Sequence, residues 1–226
     1  MPDTIALLSR ALSQLATLIE QVPTGSLDAA TPCRDWTVRE LLRHIVRQNL
    51  RNFTVSAQGG TADWSAIPQE LGSNWVDDYR RGAQTLLEIW RAADLDQKVL
   101  APGSAEAPLR SRADHQITEL SVHAWDLTKA AQLAVSLDDE LAEHALAWSG
   151  QMLQPQFRGQ GKAFGNEVPV PADATAYDRL AGWFGRDPGW QPPRPANTEE
   201  VKAQPVGPSR SRNGNFLPRS GGGTRP

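Results

Sequence analysis

Three side chains able to bind a metal stand at telling positions in this chain. Glu119 and His123 lie four residues apart in ITELSVHAWDLTKA, and His44 lies in the earlier stretch WTVRELLRHIVRQNL. Residues four apart on a helix share one face, so a carboxylate oxygen and an imidazole nitrogen can converge on one ion. Three protein ligands leave a coordination position for water or substrate, as in catalytic zinc sites. The trio therefore predicts an open metal site, and a solvated helix face is the alternative.

The remaining two histidines are weaker candidates. His115 lies four residues before Glu119 and so falls on the same helix face. Three roles are open for it: a metal ligand, a residue that supports the ligands, or a residue at the start of the helix. We favour a supporting or surface position. His144 lies among charged neighbours in LDDELAEHALAW, which predicts a structural or solvated role. We expect neither to bind the metal directly.

Composition limits what else the chain can be. Its 226 residues suffice for a sizeable core, and its single cysteine, Cys33, excludes an internal disulfide and a cysteine-rich zinc finger. Cys33 itself is expected to be a buried structural thiol rather than a redox group. No apolar run approaches the roughly 18 residues of a membrane span, and the amino terminus MPDTIALLSR does not resemble a signal peptide. These features predict a cytoplasmic protein without a membrane partner.

Charge divides the chain into two parts. Residues 191–226 hold six Lys or Arg against two Glu, a net charge of +4. Because the whole chain has a net charge of −3, residues 1–190 carry −7. An acidic body argues against nucleic acid as the partner of the folded part. The last 36 residues also contain seven Pro and five Gly, so they cannot bury enough surface to offset their ordering entropy. We predict a folded domain over 1–190 and a disordered basic tail over 191–226.

The spacing of apolar residues predicts an all-α protein. Periods of three and four residues predict helices over about 3–22, 37–55, 73–93, 113–131 and 137–153, with a shorter one over about 173–185. Thr37 and Glu40 have the spacing of a capping box, which marks the start of the second helix. The stretch 95–112 is irregular and has room for a short extended piece. Helices without alternating strand patterns are typical of a bundle.

Three strings carry a family resemblance. TPCRDWTVRELLRHIV, ITELSVHAWDLTKAAQ and FGNEVPVPADATAYDRLAGWFGRDPGW occur in this order. Together they resemble the actinobacterial family that shares the metal-binding domain of mycothiol-dependent maleylpyruvate isomerase, within the DinB/YfiT-like superfamily. The resemblance covers about residues 3–190. From about residue 153 the chain departs from the full isomerase, which continues into a separate carboxy-terminal domain.

The resemblance implies a fold and a ligand set. The fold is a DinB-like four-helix bundle with long connections and extra short helices. The ligands of a divalent metal, usually zinc, are a His on the second helix and a Glu-x-x-x-His pair on a later one. Matched residue by residue, these are His44, Glu119 and His123. The same resemblance makes Asp126 an acceptor for an imidazole N–H, against the simpler reading of a solvated carboxylate.

The resemblance also implies an activity. By analogy, the chain is a metal-dependent enzyme with mycothiol, or a similar low-molecular-weight thiol, as partner and a small electrophile as substrate. Of the two reactions open to a thiolate, S-transfer and isomerisation, we favour S-transfer. No separate catalytic base is identified. A non-catalytic metal-binding or interaction scaffold is the alternative, since a fold alone does not fix a function. A non-haem iron site with two His and one carboxylate ranks third.

Overall fold

The computed structural model describes residues 3–33, 36–100, 106–159 and 164–193. Residues 194–226, which hold most of the predicted tail, lie outside these ranges. The helices are α1 Thr4–Gln21, α2 Val38–Arg43, α3 Leu50–Ala57, α4 Trp75–Ala92, α5 Arg110–Ala130, α6 Asp139–Met152 and α7 Ala176–Trp183. Short 3-10 turns occur at Thr24–Ser26 and Pro155–Phe157, and a π-helical turn, His44–Asn49, joins α2 to α3. The predicted all-α class is confirmed.

Four helical units build the main core. Helix α1 packs against α4 and α5, while α3, which continues α2 through the π-helical turn, also packs against α4 and α5. Apolar side chains from all four units meet in one cluster, which includes Leu8, Leu41, Phe53, Leu86 and Ile117, each at most 1% exposed. This is the helical bundle that the apolar periodicity predicts, with the four-helix core that the family resemblance implies.

Two further helices cover the outer side of α5. Helix α6 packs against α5 and α7, and α7 also contacts α5. Their interface forms a second apolar cluster that contains Trp125, Ala145 and Leu180. With both sides covered, α5 is buried over most of its length, and it buries polar residues as well as apolar ones. Helix α5 is therefore the central element of the fold.

The second helix starts as predicted but continues differently. Glu40 N donates to Thr37 Oγ1 at 3.3 Å and Thr37 N donates to Glu40 Oε2 at 2.7 Å, so the capping box is present. The π-helical turn then interrupts the regular helix from His44 onward. Such turns insert an extra residue and are frequent at functional sites. The apolar pattern predicted one regular helix and did not show this turn.

The irregular stretch before α5 contains a small hairpin. Strands β1 Lys98–Leu100 and β2 Glu106–Pro108 pair antiparallel, with Val99 opposite Ala107. This hairpin accounts for the extended piece expected within 95–112. Helix α5 begins at Arg110, earlier than the predicted residue 113. Among the described residues, no helix combines the length and apolar character that a membrane crossing requires.

Candidate metal centre

The structure brings His44, Glu119 and His123 together at the inner side of α5. His44 comes from the start of the π-helical turn, and the other two residues come from successive turns of α5. Glu119 Oε2 lies 3.5 Å from Nε2 of His44 and 3.5 Å from Nε2 of His123. One ligand atom from each residue lies within 4.8 Å of the others. Two imidazole nitrogens therefore face one carboxylate oxygen.

Gln48 fixes the orientation of His44. The Gln48 amide nitrogen donates to the carbonyls of Trp64 at 2.8 Å and Ala66 at 3.2 Å, which leaves its Oε1 as the acceptor 2.8 Å from His44 Nδ1. His44 Nδ1 must then carry the proton, and Nε2 presents a lone pair. That Nε2 is buried and has no hydrogen-bond partner among the described residues. A buried polar atom without a hydrogen bond calls for an explanation, and a bound ion is one such explanation.

Asp126 fixes the orientation of His123 in the same way. Its Oδ2 lies 3.0 Å from His123 Nδ1, and its carboxylate accepts two bonds from Arg186, at 3.0 Å from Nε and 2.8 Å from NH2. Asp126 is fully buried and the Arg186 side chain is 12% exposed. A carboxylate that accepts from the Nδ1 of a histidine is a common support for metal-binding imidazoles. The solvated alternative for Asp126 is wrong.

Charges at the site favour a bound cation. Burial raises the pKa of Glu119, but contacts with His115, His123 and His44 outweigh it and hold this pKa well below its ordinary value. Glu119 is therefore ionised at neutral pH. Burial lowers the pKa of His123, but Asp126 and Glu119 more than compensate, so this pKa is raised. A metal ion would take the place of the proton that these carboxylates attract.

Aromatic rings enclose the site. The ring centroid of Trp36 lies 4.9 Å from that of His44 and 6.1 Å from that of His123, and Trp64 lies 6.4 Å from His44. Their contacts with the imidazoles restrict the movement of the two histidine rings. Because Trp36 and Trp64 come from loops, a helical pattern gives no reason to place them here.

The other two histidines lie outside the cluster. His115 Nε2 approaches Glu119 Oε1 at 3.8 Å, and its ring stacks on Trp148 at a centroid distance of 5.6 Å. It borders the site without joining its three converging atoms. His144 Nε2 lies 3.0 Å from Asp114 Oδ1 and so links α6 to α5. Its partner was not visible in the sequence, because Asp114 lies 30 residues away.

A cavity of about 370 Å³ adjoins the cluster on the side of Glu119 and His115. Its remaining walls come from β1, β2, α5, α6 and the segment after α6. A cavity of this size suits a small organic ligand. Of the three converging side chains, Glu119 lines this cavity, so the cavity lies directly beside the cluster.

The fold and this site define a class: a helical bundle with two buried histidines and a half-buried glutamate that converge beside a cavity. Residues 8–128 match the family model of the mycothiol maleylpyruvate isomerase N-terminal domain, which is more than half of the 226 residues. The chain belongs to this family, and the resemblance seen in its sequence is confirmed.

Curated relatives and solved structures are also similar to the chain. An uncharacterized protein of Mycobacterium tuberculosis, found in strains CDC 1551 and H37Rv, is 30% identical over 187 residues, covering 81% of this chain and 98% of the relative. A crystal structure of mycothiol-dependent maleylpyruvate isomerase, and one of its histidine-to-alanine mutant, align at 14% identity. Each alignment covers 72% of both chains with a TM-score of 0.49.

Proposed function

We propose that this protein is a divalent-metal-dependent enzyme that transfers a low-molecular-weight thiol, mycothiol or a close analogue, to a small electrophile. His44, Glu119 and His123 are the proposed ligands, and zinc is the proposed ion. The observation that carries the proposal is the convergence of two buried imidazole nitrogens, Nε2 of His44 and Nε2 of His123, on Oε2 of Glu119, each at 3.5 Å. Membership of a family named for a mycothiol-dependent reaction supports the choice of thiol.

The donor set fits zinc. Imidazole nitrogen and carboxylate oxygen both bind zinc at about 2.0–2.2 Å, so two ligands of a tetrahedral ion lie roughly 3.4 Å apart. The two nitrogen–oxygen distances measured here are both 3.5 Å. Two neutral imidazoles and one carboxylate leave an unbalanced positive charge on a divalent ion. An anionic thiolate is a suitable fourth ligand for such a site.

Each part of the site has a task in thiol transfer. When bound, zinc lowers the pKa of a coordinated thiol and so supplies a thiolate nucleophile near neutral pH. Gln48 and Asp126 hold the two imidazoles with Nε2 turned inward. Trp36 packs against both imidazole rings and limits their movement. The adjoining cavity holds the electrophile beside Glu119.

S-transfer and isomerisation begin with the same attack by the thiolate. In S-transfer the new carbon–sulfur bond remains and a leaving group departs with its electron pair, so one thiol is consumed per turnover. In isomerisation the thiol adds to a double bond and is eliminated again, so it is not consumed. Measuring free thiol against product therefore separates the two reactions, and we propose the consuming one.

Metal content and activity test the proposal together. The protein as purified should contain about one divalent ion per chain, and His123→Ala should lose most of it. Thiol-dependent conversion of 1-chloro-2,4-dinitrobenzene with mycothiol should be lost in the same variant. His144→Ala is the matched control, because His144 lies outside the cluster and should change neither quantity. Full metal content in His123→Ala would overturn the ligand assignment.

A further inference from the structure

The cavity beside Glu119 has mainly apolar walls. Its lining includes Val99, Trp148, Leu153, Phe157, Phe164 and Phe184. Two residues at its edge, Met152 and Phe157, are 45% and 49% exposed although they are large and apolar. Burying such surface against a ligand contributes about 25 cal/mol per Å². The walls therefore favour an apolar ligand body over a sugar or a small polar acid.

Arg112 is the one cationic side chain in the lining of this cavity among the described residues. Its NH1 donates to the carbonyls of Ser56 at 3.2 Å and Gly60 at 2.6 Å, and its NH2 donates to the carbonyl of Leu100 at 2.8 Å. These three bonds anchor the guanidinium group between α3 and β1. A guanidinium group has five N–H donors, so two stay available to a ligand.

The charge of Arg112 has no counter-ion among the described residues. Other arginines of this fold pair with carboxylates: Arg110 with Asp96 at 2.9 Å and Arg186 with Asp126 at 2.8 Å, for example. Burial lowers the pKa of Arg112, and no carboxylate opposes that effect. The guanidinium nevertheless remains charged. A partly buried cation with only neutral partners gains free energy when an anion reaches it.

The position of Arg112 along α5 sets where that anion lies. Arg112 and Glu119 are seven residues apart on one helix, which is two turns or roughly 10 Å along the axis. Arg112 and Glu119 both line the cavity, and the guanidinium group of Arg112 attracts an anion to its own end. An acidic group is therefore favoured at the Arg112 end, and the apolar body extends from there toward the metal centre.

We infer that the electrophile is an organic acid with an apolar body, whose acidic group binds Arg112 and whose reacting carbon lies about two helical turns away, next to Glu119. This inference names the substrate class of the enzyme proposed above. Only the statement that the bound acid reacts with a thiolate rests on the proposed function. The binding site itself rests on the cavity and Arg112 alone. Arg112 acts here as a specificity-determining residue, since it selects acids over neutral compounds of the same shape.

Calorimetric titration with a matched pair of probes tests this inference. 2-Naphthylacetate and 2-naphthylacetamide share one apolar body and differ in charge. The full chain should bind the acetate more tightly, by about 10-fold or more, as expected for charge-assisted hydrogen bonds. The preference should disappear in Arg112→Gln and persist in Arg110→Gln, because the exposed Arg110 pairs with Asp96 outside the cavity.

The outcomes separate this inference from the proposed reaction. The titrations need neither metal nor thiol, so loss of thiol transfer leaves their result intact. Equal binding of the two probes by the unaltered protein, or no binding of either, would overturn the inference even if Arg112→Gln fails to fold. A preference that survives in a folded Arg112→Gln variant would also overturn it. Trp148→Ala should weaken the binding of both probes by the same factor, since it removes only an apolar part of the cavity wall.

Discussion

Removing Asp126 should damage both the fold and the metal centre, and the two effects can be separated. Asp126 is fully buried, Arg186 is 12% exposed, and two charge-assisted bonds of 3.0 and 2.8 Å join them. Asp126→Ala leaves the guanidinium buried without its partner, so unfolding free energy should fall by about 3–5 kcal/mol. Because His123 Nδ1 also loses its acceptor, metal affinity should fall roughly 10- to 100-fold.

Urea unfolding in the presence of a chelator measures the first effect, and competition with a chromophoric chelator measures the second. Asp96→Ala is the matched control. The Asp96 side chain pairs with Arg110 and is 82% exposed, so this change should lower the free energy of unfolding by less than about 1 kcal/mol. Replacing both buried partners, Asp126→Leu with Arg186→Met, should recover most of the stability. Metal affinity should stay low.

Two results would refute this reasoning. If Asp126→Ala lowers the free energy of unfolding as little as Asp96→Ala does, the pair of Asp126 and Arg186 is not buried in solution. Metal affinity restored in the double variant would mean that Asp126 does not orient His123. The first result concerns packing, and the second concerns the centre itself.

Three further predictions concern the fold. Gly182→Ala should destabilise the protein by about 1–3 kcal/mol, because an added Cβ would lie 2.6 Å from the Val168 carbonyl oxygen. Gly150→Ala, where nothing lies within 4 Å, should be neutral or stabilising by up to about 1 kcal/mol, and thermal unfolding compares the two. Thr37→Ala removes the side-chain acceptor of the capping box and should lower the free energy of unfolding by about 1 kcal/mol in denaturant unfolding. Hydrogen bonds from Thr37 lower the pKa of Glu40. The contribution of Glu40 to stability should therefore be complete above about pH 4.3 and be lost as pH falls through the lowered value. Thr37→Ala keeps the backbone N–H that donates to Glu40 Oε2, so proton titration by NMR should show the Glu40 pKa rising toward its ordinary value without reaching it.

The helices and the donor residues could be predicted because their signals are local. Apolar residues three and four apart give the buried side of each helix, and Thr37 with Glu40 gives one start. Glu119 and His123 lie one turn apart on the same face of α5, so their contact follows from spacing alone. His44 needed the family resemblance, because nothing local relates it to α5.

The supporting residues could not be predicted, since their partners are distant in sequence or depend on irregular backbone. Arg186 meets Asp126 across 60 residues. The π-helical turn that presents His44 adds a residue to a pattern that reads as regular helix. Gln48 lies four residues after His44, and this spacing could have flagged it. Its role becomes clear only from the Trp64 and Ala66 carbonyls that fix its amide.

The most direct test of the metal centre is the visible spectrum of the cobalt-substituted protein during titration with mycothiol. A site with three protein ligands and one open position should bind the thiol, and a sulfur-to-cobalt charge-transfer band should grow to saturation with one thiol per metal. His44→Ala and His123→Ala should lose the cobalt spectrum itself. A cobalt spectrum that stays unchanged with mycothiol and every other thiol tried would contradict the account and favour a metal-binding scaffold.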